Sequence, residues 1–96
     1  MDSDIKRLIK VFKALSDETR HKIFELLCDE EMNVSDICEE FDITQPTISH
    51  HLHILKNCDL VDTRKNGKMI YYYVNKEVIN DAFGNIVERF HIEVKR

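Results

Sequence analysis

Between residues 45 and 53 the chain sets out Gln45, Thr47, Ser49, His50 and His53, side chains that trade hydrogen bonds without a fixed charge. Groups of this kind suit the edges of nucleic-acid bases: glutamine pairs in two places with adenine, and threonine meets a thymine methyl or a base-edge acceptor. Further on, Arg64-Lys65-Asn66-Gly67-Lys68 gathers three cations around a tight-turn signal, and such cations neutralise phosphates. The cluster His50, His51 and His53 also raises zinc. Imidazoles binding zinc must converge within about 2.1 Å of one point, whereas successive residues of a helix diverge by about 100°. His50 and His51 therefore do not chelate together, and His50–His53 is the one usable pair. We expect base or phosphate contact from His50 and His53, and assign no metal.

These side chains need elements to hold them. Val34, Ile37, Cys38 and Phe41 recur at i, i+3, i+4 and i+7, the spacing of one apolar helix face. Asp42-Ile43-Thr44 breaks the period. Thr44 can then cap a second helix, with Pro46 tolerated in its first turn, where the missing N–H has no partner to lose. Ile48, Leu52 and Leu55 would point inward and leave the hydrogen-bonding residues outside. A short helix, a turn and a helix with an uncharged polar face describe a helix-turn-helix offering its second helix to the DNA major groove. Leu60 to Lys65 and Lys68 to Val74 are strand-like runs around Asn66-Gly67, a hairpin signal in which both turn residues adopt positive φ. A basic hairpin directly after a helix-turn-helix is a wing, and Arg64, Lys65 and Lys68 are its expected phosphate or minor-groove contacts.

Flanking helices supply the scaffold. Ile5, Leu8, Ile9 and Phe12 form one apolar stripe, and Ser16 can cap a second helix, with Asp17 and Glu18 favourably placed in its positive first turn. Ile23, Phe24, Leu26 and Leu27 of that helix are expected in the core. A last helix from about Lys76 aligns Ile79, Ala82, Phe83, Ile86, Val87 and Phe90, with Val94 extending the row. That stripe is wider than its own chain can cover, which predicts a partner helix across a two-fold axis. Gly84, costly inside a helix by about 1 kcal/mol, is expected at a close helix crossing. The fold class is mainly α with a small β-hairpin wing, α-α-α-α-β-β-α, over one domain spanning 1–96.

Composition bounds the reading. The chain has 96 residues, 43% of them hydrophobic, enough for one small core that dimerisation would extend. It contains no apolar run of the roughly 18 residues a membrane span needs, so no membrane partner is expected and the location is expected to be cytoplasmic. Three cysteines, with no CxxC, fit a reducing compartment. The formal net charge of −4 opposes indiscriminate nucleic-acid binding, yet it is uneven. Residues 1–44 carry six Lys/Arg against twelve Asp/Glu, whereas residues 45–75 carry four against two and residues 76–96 balance at four each.

Leu15-Ser16-Asp17-Glu18-Thr19-Arg20, the run Gln45-Pro46-Thr47-Ile48-Ser49-His50-His51-Leu52, and Gly67-Lys68-Met69-Ile70-Tyr71-Tyr72 stand in the order that resembles the ArsR/SmtB family of small repressors. Ile48 to Lys56 most resembles its SdpR-like autorepressor branch. The resemblance covers roughly residues 5–90 and implies a homodimeric winged helix joined through its first and last helices, repressing by occupying a promoter. It also implies that His51 is a buried or backbone-bonded packing residue. The family's usual inducer sites are missing: Asn33 and Ser35 stand where a Cys-x-Cys pair would bind thiophilic ions, and Lys76, Val78 and Arg89 stand where an interfacial zinc site would lie. Cys58 matches one ligand position of a cadmium/lead-sensing branch, but Ile54 replaces a second and the third is lacking.

We therefore expect a dimeric repressor of an inverted-repeat operator on double-stranded DNA, without cofactor, metal or enzymatic activity. A protein that lifts repression remains an open partner. Rival readings are a metal- or thiol-responsive repressor using Cys28, Cys38 or Cys58, or an adventitious metal at Glu88-x-x-His91, expected to be an exposed i, i+3 pair of a helix. The outward polar helix face and the basic wing argue against a winged-helix protein-interaction module, since such modules usually expose apolar or aromatic residues there. A metallohydrolase lacks HExxH or an activated nucleophile pair.

Overall fold

Helical periodicity and turn chemistry divide the chain into eight elements in the computed structural model, which describes residues 3–93. They are α1 (Ser3–Leu15), α2 (Glu18–Asp29), β1 (Met32–Asn33), α3 (Val34–Glu40), α4 (Gln45–Asn57), β2 (Val61–Asn66), β3 (Met69–Val74) and α5 (Lys76–Arg89). The architecture is the expected one of five helices and a hairpin wing, with one strand more than the sequence announced. β1 pairs antiparallel with β3, giving a three-stranded sheet in the order β1-β3-β2. Two residues are too few to display an alternating pattern, so only the tertiary pairing reveals that strand. No helix among the described residues is long and apolar enough to cross a membrane.

The core follows the periodicities. Ile23, Phe24 and Leu27 from α2, Ile37 from α3, and Ile48, Leu52 and Leu55 from α4 are buried around Leu60 and Val61. Cys38 and Leu26 are half-buried at its margin. In α1 the buried residues are Leu8, Val11 and Ala14, while Ile9 and Phe12 are exposed. The expected stripe of Ile5, Leu8, Ile9 and Phe12 is thus split between two faces, because Val11 and Ala14 lie one turn apart beside Leu8 and are what the protomer covers. α5 has no buried residue: Ala82 and Ile79 lean on the core, whereas Phe83 and Phe90 face outward. Nothing lies within 4 Å of a Cβ placed on Gly84, so the protomer contains no close crossing there. Val94 lies outside the described residues.

One cap and one turn differ from the sequence expectations. Asp17, not Ser16, caps α2, its carboxylate accepting the Arg20 backbone N–H at 2.9 Å. The Ser16 hydroxyl instead donates to the Lys13 carbonyl at 2.8 Å, closing α1. The wing turn is Gly67-Lys68 rather than Asn66-Gly67, since Asn66 still pairs with Met69. Gly67 has φ +62, and it alone of the two turn residues has a positive φ. Glycine at the first central position is the requirement of the other common two-residue hairpin turn, type II′. Asn33 ends β1 and caps α3, its side-chain oxygen accepting from the Asp36 N–H at 2.8 Å.

Candidate nucleic-acid interface

α4 is the second helix of the helix-turn-helix, following α3 after the turn at Phe41–Thr44. Its apolar residues Ile48, Leu52 and Leu55 are fully buried, which fixes its outward face. Gln45, Thr47, Ser49, His50 and His53 are all exposed. Gln45, Ser49 and His53 succeed one another at i, i+4 and so form one row along the helix. Asn57 continues that row, its amide 3.2 Å from His53 Nε2. The sequence pattern missed Asn57, and the i+4 spacing from His53 was the signal that could have found it. Thr47 lies to one flank, its hydroxyl 3.1 Å from that of Thr44. Thr44 occupies the cap position, but makes no side-chain cap bond to a backbone N–H.

Strand alternation divides the wing cations. Thr63 and Lys65 share one face of β2, and Thr63 accepts from Lys56 of α4 at 3.5 Å. Arg64 points to the opposite face, in register with Tyr71. There its Nε donates to Glu31 Oε2 at 2.7 Å, and its guanidinium carbon stands 5.2 Å from the Tyr71 ring centroid. The Arg64 hydrogen bond holds the Glu31 carboxyl below its ordinary pKa, and Glu31 in turn raises that of Arg64. The side chains of Lys65 and Lys68 are exposed and have no hydrogen-bond or ion-pair partner among the described residues. The three cations read together from sequence are therefore two open lysines and one arginine held by a carboxylate that lies 33 residues earlier in the chain.

His51 is buried, at 9% exposure. Its bond is to a side chain rather than to backbone: Nδ1 accepts from Arg20 Nε at 3.4 Å. Burial is the main cause that pushes its pKa down, opposed by Asp17 and assisted by Arg20 and His50. His50 and His51 diverge as expected, with ring centroids 6.1 Å apart.

The remaining ligand candidates are scattered. Cys28 is exposed, Cys38 half-buried and Cys58 buried, and burial raises the pKa of Cys28 and of Cys58. A raised thiol pKa leaves less of the nucleophilic thiolate. α5 ends at Arg89, and His91 has φ +52, so Glu88 and His91 do not form the helical i, i+3 pair expected of them. Among the described residues no group of three or more His, Cys, Asp or Glu side chains is arranged to hold a metal ion.

Comparison with known proteins agrees with this geometry. Residues 17–63 match the family model described as bacterial regulatory protein, arsR family. The chain is 47% identical to the transcriptional repressor SdpR of Bacillus subtilis (strain 168) over 75% of its own length and 80% of the relative's. Its fold is similar to that of an ArsR-like transcriptional regulator from Rhodococcus sp. RHA1, with a TM-score of 0.82 at 31% identity, covering 91% of this chain and 81% of the other. A homodimeric winged helix-turn-helix DNA-binding domain from Mycobacterium bovis superimposes with a TM-score of 0.73 at 29% identity, covering 96% of this chain and 87% of that one.

Proposed function

The chain belongs to the ArsR family of bacterial regulatory proteins, and on that premise we propose that it is a sequence-specific, DNA-binding transcriptional repressor working as a homodimer. The observation that carries the reading is the outward row of Gln45, Ser49 and His53 on a helix whose other face is fully buried. Gln45, Thr47, Ser49 and His50 read base edges or bind phosphates near the start of α4, with His53 behind them. Lys65 and Lys68 anchor phosphates beside the groove, and Arg64 joins them where DNA draws it from Glu31. The exposed Ile9, Phe12, Phe83 and Phe90 belong to the two-fold interface, formed through α1 and α5 as the family resemblance implies. Two-fold symmetry then calls for an inverted-repeat operator with half-sites about one helical turn apart. Residues 1–96 act as one domain in the cytoplasm, without enzymatic activity, cofactor or metal, and a protein that lifts repression stays an open partner.

The test is binding to duplexes selected by the wild-type chain from random-sequence DNA. Gln45→Ala should relax preference at one operator position, by about 1–3 kcal/mol. Lys65→Ala with Lys68→Ala should weaken binding to every sequence and flatten the salt dependence by about one unit for each phosphate no longer neutralised. The division of labour is wrong if the wing variant changes sequence preference and the Gln45 variant changes affinity alone.

A further inference from the structure

A guanidinium-linked cluster lies behind α4, away from its DNA-facing row. Arg20 Nε donates to His51 Nδ1 on α4, and Arg20 Nη1 donates to the Ala14 carbonyl in the last turn of α1 at 3.0 Å. The Arg20 backbone N–H is itself held by Asp17 at the start of α2. A single side chain thus ties α1 and α2 to the helix that carries the base-reading row. A second tie lies at the far end of α4, where Lys10 Nζ donates to the Asn57 carbonyl at 3.0 Å. Two ties at separate points along α4 define an angle, whereas apolar contacts such as those of Ile48, Leu52 and Leu55 are non-directional and define only which face is buried.

We propose that Arg20 is a positioning residue for operator binding, setting the tilt of α4 against α1 through His51 Nδ1. The inference rests on the DNA-binding reading. α1 bears the exposed Ile9 and Phe12 of the two-fold face, so its angle to α4 determines how far apart two recognition helices stand in the dimer. Half-site spacing, rather than contact within one half-site, is what such a tie controls.

The bond also sets a protonation requirement. Nδ1 accepts only with a free lone pair, so the imidazole must be neutral with its proton on Nε2. No described polar side-chain atom is sealed away without a partner, so Nε2 keeps access to solvent. The charged groups acting on the ring are Asp17, which caps α2, Arg20 of α2 and His50 of its own helix. Because the fold lowers the His51 pKa, the tie is complete above the ordinary value of about 6.5 and is lost as pH falls through the lowered one.

The experiment measures affinity of the full chain for the selected operator, for a duplex holding one half-site, and for an unrelated duplex. His51→Asn offers Oδ1 where Nδ1 accepts, without titrating; His51→Phe keeps a planar ring and removes the acceptor. At pH 7.5 Arg20→Met and His51→Phe should lose at least tenfold on the operator and less than threefold on the half-site, with His51→Asn within threefold of wild type on both. As pH is lowered from 7.5, the wild-type affinity divided by that of His51→Asn should fall at least threefold once the His51 ring takes up its second proton, at a pH below the ordinary value. Should Arg20→Met not fold, His51→Phe against His51→Asn decides alone. Equal losses on operator and half-site, or a ratio independent of pH, overturn the proposal. A wild-type chain that binds none of the duplexes overturns the functional reading instead.

Discussion

Replacing Phe83 with alanine should separate the dimer while leaving each protomer folded. The ring stands on α5, 55% exposed and outside the core cluster. A phenylalanine has about 200 Å² to bury, so on the order of 110 Å² of it meets water in the isolated protomer. At about 25 cal/mol per Å², covering that area contributes roughly 2.7 kcal/mol per copy. An isologous interface counts the residue twice, which brings the total to about 5.4 kcal/mol, or nearly four decades of dissociation constant at about 1.4 kcal/mol each. Half-burial against the partner would leave about two decades. The protomer should tolerate the change, because alanine is the better helix former and the ring lies outside the core. Sedimentation equilibrium from nanomolar to micromolar concentration reads the dissociation constant, and thermal unfolding at several concentrations separates association from folding. A wild-type monomer at micromolar concentration, or a Phe83→Ala dimer within threefold of wild type, would refute the assignment of this face.

Two further outcomes follow from the core and from the missing ligands. Leu52→Ala, at a fully buried position of α4, should lower stability by about 2–5 kcal/mol in denaturant unfolding; a loss under about 1 kcal/mol would mean that α4 is held by something other than its apolar face. Operator affinity should change less than tenfold with one equivalent of Zn²⁺, Cd²⁺ or arsenite against chelator, since Asn33 caps α3 and Ser35 offers no thiolate. Only a difference in metal binding between free and DNA-bound dimers can shift repression, and a larger change would point first to Cys58 or Glu88.

Much of the candidate site's layout was legible because helical periodicity is a local property. The burial of Ile48, Leu52 and Leu55 against the exposure of Gln45, Ser49 and His53 follows from residue spacing alone. So does the existence of the wing, whose two strands are joined through a glycine with positive φ. The turn residues themselves did not follow, because Asn66-Gly67 and Gly67-Lys68 both contain the glycine and only pairing of Asn66 with Met69 chooses between them. Capping failed in the same way: Ser16 and Asp17 are adjacent acceptors, and the choice depends on where the chain turns between two packed helices.

Sequence by itself determined which faces are apolar, which helix presents uncharged donors and acceptors, and that the last helix has more apolar surface than its own chain can cover. Tertiary structure decided every relation between residues distant along the chain. β1 exists only because Met32 and Asn33 meet Tyr72 and Tyr71. Arg64 is withdrawn from the open wing cations because Glu31 lies across the sheet from it, and His51 is an acceptor because Arg20 reaches it from another helix. Periodicity reports which way a side chain faces. Its partner is set by how elements pack, and a hydrogen bond across 31 or 33 residues leaves no trace in local spacing.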